Sequence, residues 1–290
     1  MIHSQLVCDS CGSTEYVVLR NSILNVVEDE KTYFSSSAKP LHSQLVRCRC
    51  QLVFIYPRPP MEKVNEEYKS AIDMNHATER GNRIKSFKRV FRQNTLMQYL
   101  LKNPHCSLLD IGSASGEFVQ CAAQLGIQAQ GIEPSVHLSS TARTQYGLDI
   151  ATGFLDTSNY PSSHFNIVSM MDVLEHLESP STMLNDVLKI LDTDGILILN
   201  LPMIDTFTAR LMRFKWPFFL EVHLYYFTKT SIESLLQKNG FKIIQMSRYS
   251  QSLSIGYLLN RVFGKDFPKF LGLIPFRYCM GQRTIIAKKA

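Results

Sequence analysis

One stretch constrains the fold more than any other. The apolar run Ser107-Leu108-Leu109-Asp110-Ile111 passes directly into Gly112-Ser113-Ala114-Ser115-Gly116, and a helical pattern over 117–125 stops at Gly126. The same alternation continues downstream. Residues 128–132 form a strand ending at Glu133-Pro134, and 138–145 a helix stopped by Gly147. A strand over 165–170, a helix over 181–191 opened by Ser181, and a strand over 196–201 follow. A helix over 230–239 and closing strands at 241–246 and 284–287 complete the pattern. Strands and helices alternating in this way predict an α/β chain built on a doubly wound, Rossmann-like parallel sheet. Such sheets bind ligands beyond the carboxyl ends of their strands, at the switch point.

Two regions of different texture precede this one. Residues 1–60 are short-stranded and carry Cys8, Cys11, Cys48 and Cys50; they close with Pro57-Arg58-Pro59-Pro60, a stiff boundary. Residues 61–104 are charged and helical in period, a lead-in ended by Asn103-Pro104. The chain of 290 residues is long enough to bury a core without disulfides. With 45% hydrophobic and 19% charged residues, it is not a disordered chain. A net charge of +6 allows an anionic partner without demanding nucleic acid. No apolar run approaches the roughly 20 residues of a spanning helix. The first residues lack the basic and apolar regions of a signal peptide, which predicts a cytoplasmic protein.

Three chemistries compete for the loop after the first parallel strand. A dinucleotide site needs G-x-G-x-x-G for its pyrophosphate, and the glycines here are spaced differently. A nucleophile elbow needs a central serine, and that position is Ala114. A nucleoside lacking phosphates remains: Asp110 and the start of the helix would face an amine and a carboxylate, and Glu133 would face ribose hydroxyls.

This third pattern resembles the class I S-adenosylmethionine-dependent methyltransferases, small-molecule branch. The glycine loop, the acid ending the second strand, Phe165-Asn166-Ile167-Val168-Ser169-Met170-Met171-Asp172-Val173-Leu174-Glu175-His176-Leu177, and Asp194-Gly195-Ile196-Leu197-Ile198-Leu199-Asn200-Leu201-Pro202 occur in order. The segment His223-Leu224-Tyr225-Tyr226-Phe227-Thr228 also looks like that branch. The fourth strand opens with Phe165-Asn166 where the family usually has Phe-Asp.

The resemblance implies a seven-stranded methyltransferase domain over 105–290, with an acceptor cap around 203–228 and 248–280. It implies S-adenosylmethionine as cofactor, held by Asp110, Gly112, Ser113, Gly116 and Glu133, with Phe154 and Leu155 beside the adenine and Met171 and Asp172 at the end of the fourth strand. Tyr68 and Arg80 of the lead-in would close over it.

The cysteines, C-x-x-C then C-x-C, suit tetrahedral zinc better than a disulfide. The first 60 residues resemble the zinc-ribbon-like segment that often precedes this branch. There the second pair is usually C-x-x-C followed by glycine; here it is one residue short and Gln51 takes the glycine's place. His3 and His42 are alternative ligands.

Methyl transfer expels a neutral thioether, so it needs alignment of the nucleophile and, where that carries a proton, a base. Positioning can supply ~7–11 kcal/mol of the barrier and a base ~10²–10⁴-fold in rate. His223 is the favoured base, with His176 the other candidate and Tyr226 beside them. The expected acceptor is a small molecule (a sugar, glycolipid precursor, quinone-like phenol or secondary metabolite), anionic or nucleotide-linked forms included. An RNA methyltransferase using the cysteine module and the basic residues from Arg80 to Arg92, or a non-catalytic S-adenosylmethionine-binding protein, are the alternatives.

Overall fold

The computed structural model describes residues 7–22, 41, 43–70, 74–256 and 275–290. Three short strands come first: β1 (Tyr16–Arg20), β2 (Gln44–Cys48) and β3 (Val53–Tyr56). The lead-in divides into α1 (Met61–Ser70), α2 (Met74–Phe91) and α3 (Asn94–Lys102). Next come β4 (Ser107–Ile111), α4 (Glu117–Ala123), β5 (Gln128–Glu133), α5 (Val136–Tyr146), β6 (Ile150–Thr152) and β7 (Phe165–Met171). The chain continues through α6 (Pro180–Ile190), β8 (Leu191–Pro202), α7 (Phe207–Met212) and β9 (Tyr225–Tyr226). It closes with α8 (Lys229–Lys238), β10 (Phe241–Arg248), β11 (Gln251–Ser254), β12 (Pro275–Tyr278) and β13 (Gln282–Lys289).

The main sheet has seven strands in the order β10-β13-β8-β7-β4-β5-β6. Strands β4 to β8 pair in parallel, and β13 runs antiparallel to both β8 and β10. The central strands are apolar because both faces are covered. Leu109, Val168, Leu197 and Leu199 pack on one side with α6 and α8. Leu108, Ile167 and Ile198 pack on the other with Phe87, Phe91 and Phe118, the Phe91 and Phe118 rings stacking at 4.7 Å. β4 pairs with β5 on one edge and with β7 on the other. The chain reverses its winding at β4, and the crevice lies beyond the ends of β4 and β7.

Local differences from the sequence reading have simple causes. Helix α6 begins one residue earlier than Ser181: Ser179 is its N-cap, accepting from Thr182 N, and Pro180 supplies the first helical residue. Strand β8 starts at Leu191, ahead of Gly195, and its register against β7 shifts between Phe165 and Ile167 to absorb the extra length. Within 248–280, expected to be part of the cap, β11 and β12 pair as an antiparallel ribbon. That ribbon is anchored on α2 by Glu79, which accepts from Ser254 N and Oγ, and by Ser86 Oγ, which accepts from Ser252 N. Residues 257–274 of that segment, His3 and His42 lie outside the described residues.

The amino-terminal strands complete their sheet with a strand from far along the chain. β3 pairs antiparallel with β9, giving the order β1-β2-β3-β9. Leu41 N donates to Phe219 O and Ile55 N to Leu224 O, so the cysteine-bearing segment is stitched onto the segment that carries His223.

Candidate active site

The turn after β4 is tightly wound. Gly112 has φ +70° and Gly116 φ +80°, and Ala114 between them also lies in the left-handed region at φ +49°. A side chain at Gly112 would meet Val173 Cγ2 at 2.6 Å, so glycine here lets the turn after β7 close against the loop. The loop amides are spent inside the protein. Gly112 N and Ser113 N donate to Ile132 O, Gly116 N to Ser113 O, and Ala114 N to Glu133 Oε2 at 2.8 Å. These four amides hold the loop onto β5 and onto itself.

Glu133 ends β5 and is buried. Its Oε1 accepts from Ser135 N at 2.8 Å, and its main-chain carbonyl accepts from Gly153 N. The ends of β4, β5 and β6 are thus fixed around one residue. Asp110 lies beneath the loop, accepting from Ser169 Oγ at 2.7 Å, and burial pushes its carboxyl up to about 7. Ser113 is buried with its Oγ unpartnered. Phe154 is exposed just beyond β6 and Leu155 is half-buried. Asp172, at φ +60°, accepts from Asn200 Nδ2 and Gln282 Nε2, both at 2.8 Å. Met171 ends β7 and belongs to the sheet core with Phe118 and Tyr249.

Beyond β7 the chain makes a single 3-10 turn, Leu174–His176. That turn meets the segment before β9: Leu224 N donates to Glu175 O, and His176 Nδ1 lies 3.0 Å from Val222 O. Tyr68 of α1 reaches in, its hydroxyl 2.9 Å from the same Nδ1. The His176 and His223 rings meet edge to face at 4.8 Å. His223 is buried, with Nδ1 2.8 Å from Phe218 O and the ring parallel to Phe218. A carbonyl only accepts, so in both histidines Nδ1 carries the proton and Nε2 the lone pair. Burial lowers His176 to about 4, which keeps it neutral.

Sequence reasoning overlooked Glu175. It is 1% exposed, and neither carboxylate oxygen has a hydrogen-bond partner. An acid beside a histidine in an otherwise apolar run was the available signal. Tyr226, by contrast, is removed from catalysis: it is fully buried and its hydroxyl donates to Leu220 O at 2.9 Å. Arg80 is also structural, clamping the glycine loop through Ser115 O, Gln120 Oε1 and Glu117.

Residues 77–246 match the family model described as a methyltransferase domain. The chain belongs to that family. It is a class I S-adenosylmethionine-dependent methyltransferase. The fold is shared with a magnesium protoporphyrin IX methyltransferase of Synechocystis PCC 6803, solved with S-adenosylhomocysteine bound: TM-score 0.51 at 16% identity, over 80% of this chain and 100% of that one. It is shared too with a methyltransferase from Archaeoglobus fulgidus: TM-score 0.52 at 14% identity, over 75% of this chain and 100% of that one. A sequence search of curated proteins finds no match to this methyltransferase. Its crevice suits S-adenosylmethionine, the expected cofactor, because a buried carboxylate and an orphan serine hydroxyl stand at the strand ends where the nucleoside belongs.

The cysteines converge. Cys8 Sγ lies 3.6 Å from Cys50 Sγ and Cys11 Sγ 3.4 Å from Cys48 Sγ, with all four within 4.8 Å of one another. Four sulfurs about 2.3 Å from one ion, in a tetrahedron, stand less than 4 Å apart, so the set fits zinc. The short second pair turns in the same way as the first. Gly12 N donates to Cys8 O and Gln51 N to Cys48 O, both following residues being left-handed, at φ +71° and +69°. Among the described residues no helix is long and apolar enough to cross a membrane.

Proposed function

We propose that this methyltransferase modifies a small-molecule acceptor held against Glu175, His176 and His223 at the end of β7. The observation that carries the reading is this buried polar cluster walled by Tyr68 and Phe218, directly beside the glycine loop. Bound S-adenosylmethionine supplies an electrophilic methyl group. Glu133 would take the ribose hydroxyls, Asp110, Gly112, Ser113 and Gly116 the methionine end, Phe154 and Leu155 the adenine, and Asp172 the acceptor side. Tyr68 stands in the field of both Glu133 and Glu175, so it bridges the two halves and excludes water. Proton removal from the acceptor depends on His223, whose Nε2 lone pair is set by the Phe218 carbonyl. Cys8, Cys11, Cys48 and Cys50 hold a structural zinc, and residues 1–60 serve as a module that shapes the acceptor side.

The basic helix argues against RNA as acceptor. Arg80 and Arg83 turn inward to Glu117, and Arg89 donates to Ser250 O and Ser252 Oγ. Lys85, Lys88 and Arg92 alone are left fully exposed, too few for a phosphate-tracking stripe.

Calorimetry with S-adenosylhomocysteine tests the cofactor half. Glu133→Ala is expected to weaken binding by about 1.5–3 kcal/mol, the range for hydrogen bonds to a charged group. Unchanged affinity in a folded variant would remove Glu133 from the site.

A further inference from the structure

We propose that Glu175, His176 and His223 bind a divalent first-row transition cation, whose open positions receive oxygen atoms of the acceptor. The inference rests on the acceptor position proposed above and deepens it.

One ligand atom from each of the three residues lies within 4.8 Å of the others. A cation at the usual distance of about 2.0–2.2 Å from each would draw the three atoms to within about 4 Å of one another. Both imidazoles are already in the form a metal requires. Their Nδ1 hydrogens are fixed on main-chain carbonyls, of Val222 and of Phe218, at 3.0 and 2.8 Å. This second contact is the usual companion of a ligating histidine, because it sets the tautomer and aims Nε2.

Glu175 supplies the independent observation. Both its oxygens are buried without a partner, and Asp172 adds negative field beside it. A buried carboxyl left unpaired is destabilising, and a cation offsets this directly. Among the described residues no cationic side chain hydrogen-bonds it, and Arg80 and Arg83 turn to Glu117. His176 and Asp172 retain partial exposure, so the cluster has a route to solvent, while Glu175 and His223 form its floor.

Two imidazoles and one carboxylate suit zinc, iron(II) or manganese(II) and leave positions open for small ligands. The acceptor is then an oxygen donor, a hydroxyl or a vicinal pair of oxygens, with His223 acting through the cation it holds.

Manganese(II) is the probe, because soft thiolates compete poorly for it. The full-length protein is titrated with manganese(II) chloride and free ion is read by electron paramagnetic resonance. One saturable ion per chain is expected, with imidazole nitrogen couplings in the pulsed spectrum. Glu175→Gln and His223→Gln should each weaken it by about tenfold or more. S-adenosylhomocysteine affinity, measured alongside, should persist in both variants and reports separately on the cofactor half. Should either variant fail to fold, the wild type decides: the nitrogen-coupled signal and a rise in Tm with manganese(II) support the site. Absence of saturable binding to folded wild type, or equal affinity in both folded variants, overturns it.

Discussion

At the residue scale, Asp110 makes the most direct claim. Burial first, with Glu117 and Glu133 nearby, raises its carboxyl to about 7 against the Ser169 hydrogen bond that lowers it. An unfolded chain releases that proton near pH 4, so the folded protein holds one more proton between those values. Its contribution to stability is complete below pH 4 and is lost as pH rises through about 7. The ligand-free protein should therefore lose Tm between about pH 4 and 7 and level off above, and Asp110→Asn should flatten that slope. A slope unchanged by the substitution would assign it to other groups.

Asp110 and Glu133 were legible because each ends an apolar strand, and a carboxylate there has a chemical reason to exist. Glu175 was not singled out, because its significance comes from His223, brought beside it only by the Leu224–Glu175 backbone bond. Tyr226 misled for the converse reason. Aromatic residues after a strand suit a pocket wall and a core equally, and pairing with Val53 decides for the core.

At the scale of elements, the cysteine module and the acceptor segment form one sheet. Cys11→Ser should abolish zinc in elemental analysis and lower Tm. Because β9 pairs with β3, it should also depress methyl transfer while sparing S-adenosylhomocysteine affinity. Full transfer by a zinc-free variant would separate the module from the acceptor side. Helix α8 offers a smaller test: Thr228 and Ser231 form a reciprocal capping box. Thr228→Ala should cost about 0.5–2 kcal/mol in urea unfolding, with little change in transfer.

The helices and strands with glycine or serine boundaries were readable locally. The ribbon β11–β12 was not, since Gln251-Ser252-Leu253-Ser254 carries little strand signal. It is held by Glu79 and Ser86, 175 and 166 positions earlier in the chain than the serines they bind. The inward turn of Arg80 and Arg83 was not legible, because their acidic partner, Glu117, belongs to another helix.

At the scale of the whole molecule, two sheets converge on the crevice. The parallel sheet brings the cofactor loop and the turn after β7, while the cysteine-bearing sheet carries His223 toward that turn through β9. The central claim is that this geometry delivers a methyl group to a small molecule. Transfer of labelled methyl from S-adenosylmethionine into an extract fractionated into RNA, protein, lipid and small molecules tests it most directly. The account predicts label in the small-molecule or lipid fraction, lost with His223→Ala in a variant that still binds S-adenosylhomocysteine. Label entering RNA or protein, or none in any fraction from a cofactor-binding wild type, would contradict it.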